Sequence, residues 1–303
     1  MSQTNQGAGV AVGLVGLGVM GRGVAVNLIK SGFKLFGRDV NPEALKWLEA
    51  SGGHAAQSPL EMASACEVIV SFVVNDAQTE EVLFGEQGLA AHMKPDSVFI
   101  ACSTMPPKYV KDLSQRLAKL KIHLVDAPVS GGKNGALNGT LTVMMAGDPS
   151  VCERVKPVLS SFGGNIFSLG SEPGQGSQMK VINQLLCGVH IAAAAEALAM
   201  AKRNGLPLDT SLEILKSGAA SSWMLADRGP RMVTESFDDV ASAVDIFVKD
   251  LGLVVDSARQ CMFPASMAHA AFLQFVQASS SGHGKQDDSA VIRNYTDSHH
   301  KTR

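Results

Sequence analysis

The sequence predicts an α/β fold for the first half, with a doubly wound, mostly parallel sheet, and an all-α second half. Three observations predict this. Short apolar runs alternate with stretches of helical spacing as far as about residue 170. A glycine-rich run sits between the first apolar run and the first helical stretch. Beyond the loop Ser171 to Gly176 strand character stops, and residues 177–204 hold no Pro and a single glycine, Gly188.

Val10 to Gly16 is rich in Val and Leu and suits a strand buried on both faces. Arg22 to Lys30 follows with helical spacing, and Ser31-Gly32 closes it as a C-cap. Lys34 to Gly37 is the second strand, and Asn41-Pro42-Glu43 starts a helix with Pro in its first turn. Val68 to Val74, Ser97 to Ala101 and His123 to Val125 are further strands, with Gln78 to Leu83 and Pro107 to Leu120 helical between them. Leu141 to Ala146 and Asn165 to Leu169 complete the set. In the second half, 177–204 reads as one helix about 40 Å long, with Ala dominating 192–201. Leu208 to Ser217, Ala241 to Gln260 and Pro264 to Ala278 are also helical. These readings divide the chain into domains at 1–170 and 171–303.

A net charge of -2 with scattered Lys and Arg predicts no nucleic-acid partner, which would require a basic face. No uninterrupted apolar stretch is long enough to cross a bilayer, so no membrane partner is expected. The five cysteines are widely spaced and never form Cys-x-x-Cys, which fits a reducing compartment better than a disulfide framework. Residues 1–9 lack the layout of a secretory leader, and a cytoplasmic location is expected. No His-x-x-x-His or carboxylate cluster suggests a catalytic metal, and His299-His300 reads as a solvated tail.

Gly16-Leu17-Gly18-Val19-Met20-Gly21 matches the dinucleotide fingerprint G-x-G-x-x-G, directly after an apolar strand and before a helix. The first glycine makes a tight turn, the second admits a pyrophosphate to the backbone, and the third allows close strand–helix packing. The sheet is thereby expected to be of the Rossmann type. Asp39, about 20 residues on, sits where a carboxylate accepts hydrogen bonds from the adenosine ribose. A carboxylate there repels a 2′-phosphate and favours NAD, while the neighbouring Arg38 keeps NADP possible. The other reading of Asp39 is a helix cap before Asn41-Pro42.

Asp126 to Gly132 (DAPVSGG), backed by Gly139 to Gly147, resembles the substrate signature of the β-hydroxyacid dehydrogenase family, which includes 3-hydroxyisobutyrate and 6-phosphogluconate dehydrogenases. Gly174 to Asn183 (GQGSQMKVIN) resembles its catalytic motif, and Val248 to Leu251 its C-terminal motif. The likeness runs in order from about Val10 to Asn294. Leu185 to Ala192, Ser222 to Met224, Ser242 to Gly252 and Gly284 to Val291 are most similar to the branch acting on four-carbon sugar acids such as L-threonate. What the resemblance implies is an NAD-dependent dehydrogenase that oxidises a sugar-acid hydroxyl to a ketone. A 3-hydroxyisobutyrate dehydrogenase or a reductase of small semialdehydes is the alternative.

Such chemistry needs a base for the hydroxyl proton and a clamp that fixes the reacting carbon. Lys180 follows the glycine loop by one helical turn and is the expected general acid/base, the other reading being a solvated helix lysine. Burial and the positive nicotinamide ring would both lower its proton affinity. Asn183, at i+3, holds the substrate hydroxyl or steadies the lysine. Ser130, Gly131 and Gly132 offer a hydroxyl and unobstructed N–H groups to the substrate carboxylate, or simply form a turn. Asp126 is read as structural. By resemblance, Thr104 touches the cofactor and Lys249 closes over it.

Two departures stand out. Gln184 occupies a position where many relatives have a second Asn, and Ser242 one where hydroxyisobutyrate enzymes have Phe. Ser242 and Asp245 are expected to make a larger, more polar substrate pocket; otherwise Asp245 forms a helix ion pair with Lys249. Trp223 is either a pocket or an interface aromatic. The long Ala-rich helix predicts a homodimer or homotetramer.

Overall fold

The computed structural model describes residues 9–297; the polar N-terminal stretch and the His299-His300 pair lie outside them. The chain divides into two compact units, residues 1–180 and 181–303. The first compact unit runs on past Gly170 to Lys180, because Gly174 and Ser177 hydrogen-bond to Asp126 and tie the start of the long helix to it.

The first unit is built on a six-stranded, all-parallel sheet of order β3-β2-β1-β4-β5-β6, the order of a dinucleotide-binding sheet. Its strands are β1 (Ala11–Val15), β2 (Lys34–Arg38), β3 (His54–Ala55), β4 (Val68–Ser71), β5 (Val98–Ala101) and β6 (His123–Asp126). Alternate side chains feed two cores. Val12, Leu14, Val70 and Ile100 pack with α1 (Val19–Lys30), α2 (Pro42–Ala50), α6 (Gly132–Asn138) and α7 (Pro149–Phe162). Val15, Ile69, Phe99 and Ala101 pack with α3 (Pro59–Ala65), α4 (Asp76–Phe84) and α5 (Pro107–Lys119). The central strands β1, β4 and β5 are buried on both faces, which is why they read as nearly unbroken apolar runs.

The expected caps form. Gly32 takes the left-handed conformation (φ 88°) after α1, and Asn41 Oδ1 accepts the Glu43 amide at 3.0 Å to start α2. Two strands do not extend the main sheet as their apolar runs imply. β8 (Leu141–Met145) and β9 (Gly163–Ser168) join β7 (Val129–Ser130) in a separate three-stranded sheet of order β7-β8-β9. An antiparallel bridge between Asp126 and Ala146 connects it to the end of β6.

The helix α8 (Gln175–Arg203) is 29 residues long, or about 44 Å. By length and composition it could cross a bilayer, with a mean hydropathy of 1.5 over its most apolar 18-residue window, contrary to the sequence expectation. Gln184, His190 and Glu196 interrupt it, and 44% of that window is buried within the protein. The second unit, all helical, continues with α9 (Leu208–Ser217), α10 (Trp223–Thr234), α11 (Val244–Gln260), α12 (Ser266–Ala278) and, after two irregular turns, α13 (Arg293–Thr296). Ile191, Leu198, Leu251 and Phe275 centre its core, and Phe247 stacks on Phe275 at 5.1 Å. Gly188 lets α8 approach α11, since a Cβ there would lie 2.7 Å from Leu251 Cδ2. Arg228 lies buried against Asp288 in a two-point ion pair (2.8 Å each), and Arg231 Nε reaches Asp287 at 2.9 Å. These pairs fix 287–289 against α10.

Candidate active site

In the first unit, the glycine turn shows three different reasons for its three glycines. Gly16 has φ 89°, and a Cβ there would meet the Phe72 carbonyl oxygen at 2.7 Å. At Gly21 a Cβ would stand 1.9 Å from the Gly16 oxygen, so packing requires glycine there too. Gly18 has φ -69°, and nothing lies within 4 Å of the place its Cβ would take. Neither packing nor backbone demands glycine at 18, and the open space above it fits an approaching pyrophosphate. The start of α1 has no side-chain cap and no acidic residue in its first turn, which leaves its N–H groups for an anion. Leu17, Val19 and Met20 complete the turn. The dinucleotide site therefore fits.

Asp39 accepts the Leu17 amide on Oδ2 at 2.6 Å and the Asn41 amide on Oδ1 at 2.8 Å. The N-cap of α2 is Asn41, which replaces the capping reading of Asp39. Each carboxylate oxygen keeps a lone pair for a ribose hydroxyl. Arg38 donates from Nη1 to the Ala56 carbonyl at 3.0 Å, and burial lowers its pKa. After β5, Ser103 turns inward and donates to the Val73 carbonyl at 2.7 Å, whereas Thr104 stays half-buried at the carboxyl edge of the sheet.

Ser130 ends β7, half-buried, and Gly131 (φ 132°) and Gly132 (φ 61°) lead into α6. Both are backbone conformations that a side chain would strain. Asp126, fully buried, binds the Gly174 amide (2.8 Å), the Ser177 amide (2.8 Å) and the Ser177 hydroxyl (2.7 Å). Burial pushes its carboxyl above the ordinary range, against the pull of these bonds. Gly176 is forced by close approach, because a Cβ would meet the Met144 oxygen at 2.4 Å. Lys180 lies one turn further along α8 and is 7% exposed, which removes the reading of a solvated helix lysine.

In the second unit, Asn183 donates to Gln184 Oε1 at 2.8 Å, and Gln184 Nε2 donates to Asp250 Oδ2 at 2.5 Å. Lys249 Nζ stands 2.8 Å from Asp250 Oδ1 as an ion pair without hydrogen-bond geometry. Two predicted site residues, Asn183 and Lys249, are thus joined through Gln184 and Asp250. Sequence reading did not assign Asp250; the signal was its place beside Lys249 in the C-terminal motif. Asp245 does not form the helix ion pair with Lys249. It is exposed, accepts from Ser279 Oγ at 2.6 Å, and lies against Gly284. The Ser242 carbonyl accepts the Asp288 amide at 2.7 Å, so both residues hold 279–288 onto the start of α11. Trp223 is 55% exposed at the first position of α10.

Residues 11–170 match the NAD-binding domain of 6-phosphogluconate dehydrogenase. Residues 174–295 match the family described as NAD-binding of NADP-dependent 3-hydroxyisobutyrate dehydrogenase. The chain is 44% identical to an L-threonate dehydrogenase of Cupriavidus necator, over 93% of this chain and 95% of that one. An L-threonate dehydrogenase of Escherichia coli K12 is 43% identical over 93% of each chain. Among solved structures, a 3-hydroxyisobutyrate dehydrogenase from Salmonella typhimurium superposes with a TM-score of 0.90 at 44% identity, covering 94% of this chain and 99% of that one. An end-to-end likeness of this kind agrees with the glycine turn and the two-unit layout, and the chain belongs to the β-hydroxyacid (3-hydroxyisobutyrate) dehydrogenase family of NAD-binding oxidoreductases.

Proposed function

We propose that the protein oxidises L-threonate to a 2-oxo acid with NAD, Lys180 serving as general acid/base. The observation that carries this reading is 43–44% identity, over more than nine-tenths of each chain, to enzymes named L-threonate dehydrogenase. Desolvation disfavours a charged ammonium, so a lysine as buried as Lys180 suits a proton acceptor. In this reading Lys180 takes the proton of the substrate hydroxyl, and Asn183 holds that hydroxyl. Ser130 and the N–H groups of Gly131 and Gly132 hold the carboxylate. When bound, NAD supplies the hydride acceptor. Gly16 to Gly21, Asp39, Thr104 and Lys249 are the residues proposed to hold it, and Asp39 favours NAD over NADP.

A second reading is 3-hydroxyisobutyrate dehydrogenase, favoured by the 44% identity of the Salmonella typhimurium enzyme of that name. Ser242, with Asp245, supports the more polar acid. Initial rates on both acids, each with NAD and NADP, test the choice. The reading expects L-threonate with NAD to have the highest kcat/KM, and preference for 3-hydroxyisobutyrate would replace it.

We further propose a homodimer or homotetramer in the cytosol. Ile182, Leu186, Ala193, Ala197 and Met200 are exposed along α8 at spacings of one or two turns, an apolar stripe suited to a second copy. Among the described residues none of the five cysteines is in a disulfide, as a reducing compartment would leave them. Light scattering tests the assembly: Leu186→Lys should shift the mass towards a monomer.

A further inference from the structure

Asn27 lies on α1, two turns beyond the glycine fingerprint. Its side-chain amide points across to α6. Nδ2 is shared among the carbonyls of Gly23 (2.9 Å), Ala136 (2.8 Å) and Leu137 (3.0 Å). The last two are terminal carbonyls of α6, which lack partners within their own helix. The other end of the Asn27 amide faces Gly139, where a Cβ would stand 3.2 Å from Oδ1. Gly139 is the left-handed C-cap of α6, with φ 67°.

One turn earlier on the same face, Gly23 brings the two backbones together. A Cβ at Gly23 would lie 2.7 Å from Ala136 C and 2.7 Å from Leu137 N. The two helices therefore touch backbone to backbone at Gly23 and are pinned by Asn27. At its start α1 carries the glycine turn, and α6 directly follows Ser130 and Gly131. Since α6 spans only 132–138, a shift at its far end is carried directly into the loop before it.

We propose that Asn27, seated by Gly23, is a positioning residue that sets the substrate loop Ser130–Gly132 relative to the dinucleotide turn. The inference rests on the reading of that loop as the carboxylate clamp. Loss of the Asn27 amide leaves the glycine turn intact but frees the end of α6. The carboxylate is then held off its productive place while the dinucleotide still binds. Misplacement by an ångström can cost up to about a hundredfold in rate, so a looser loop is expected to cost on the order of tenfold.

The test compares Asn27→Leu, Asn27→Ser and Ser130→Ala with wild type, measuring NAD Kd by fluorescence and KM and kcat for the hydroxyacid. For Asn27→Leu the expected result is an NAD Kd within about twofold of wild type and a KM raised about tenfold, with a smaller loss in kcat. A purely structural Asn27 would instead lower Tm and the active fraction at unchanged KM, and that result overturns the proposal. Asn27→Ser, which opens a small cavity but keeps a hydroxyl donor, should lie between wild type and Asn27→Leu and serves if the Leu variant does not fold. Should Ser130→Ala raise KM while both Asn27 variants leave it unchanged, the clamp reading stands and the positioning role is wrong. If none of the three variants moves KM, the clamp reading fails and takes the inference with it.

Discussion

Ser177 gives both of its polar hydrogens to one carboxylate, its amide to Asp126 Oδ2 at 2.8 Å and its hydroxyl to Asp126 Oδ1 at 2.7 Å. Asp126 ends β6, four residues before Ser130, and Ser177 opens α8, three residues before Lys180. The strand that leads to the proposed clamp and the helix that bears the proposed base are thereby fastened at one buried carboxyl group. Asp126→Ala leaves the Ser177 and Gly174 donors unpaired in a dry place. A stability loss of about 3 kcal/mol is expected, together with lower turnover. Urea unfolding and steady-state rates on the variant check both.

The glycine turn separates packing from ligand contact. Gly21→Ala sets a Cβ 1.9 Å from the Gly16 oxygen, so the strand–helix junction must move, and a lower Tm is expected. Gly18→Ala meets no neighbour within 4 Å at an ordinary φ. Its Tm should match wild type while NAD affinity falls at least tenfold, because the methyl occupies the approach of the pyrophosphate. Thermal melts with and without NAD distinguish the two variants.

Asp39 combines two tasks, bracing the Leu17 amide and facing the ribose. Asp39→Ala is expected to weaken NAD binding and to narrow the ratio of kcat/KM for NAD over NADP. An unchanged ratio from parallel titrations would restrict Asp39 to bracing the turn.

In the second unit, removing one partner of the buried Arg228–Asp288 pair strands the other. Arg228→Met should therefore cost about 3–5 kcal/mol, read from denaturant unfolding. Asp287 adds a pH dependence. Burial raises its pKa, but hydrogen bonds from Ser289 and Ala241 and the charge of Arg231 outweigh this and hold the carboxyl below its ordinary value of 3.8. A carboxyl with a depressed folded pKa contributes stability that is present above its unfolded pKa and lost as pH falls through the folded one. Stability should fall below about pH 4, with a shallower slope in Asp287→Asn.

The alternation of apolar strands and helices was legible because the central strands of the main sheet are buried on both faces, which writes runs such as 68–71 and 98–101 as nearly continuous apolar sequence. The separate placement of β8 and β9 was not legible, since an apolar run does not say which sheet it joins. The helices 149–162 and 223–234 escaped notice because Pro157 and Pro230 lie inside them, and 132–138 because its glycines resemble a loop. In the site, Lys180 and the three fingerprint glycines carry motif spacing. Contacts between residues far apart in sequence do not, so the Gln184–Asp250 bond and the Asn27 clamp emerge only from the fold.

The central claim is that Lys180 is the base in a dinucleotide-dependent oxidation. Turnover of L-threonate by Lys180→Ala, followed through the absorbance of reduced cofactor and paired with an NAD titration, tests it most directly. The expected result is kcat lower by about 10²–10⁴-fold with NAD affinity retained. Wild-type turnover in Lys180→Ala would contradict the account.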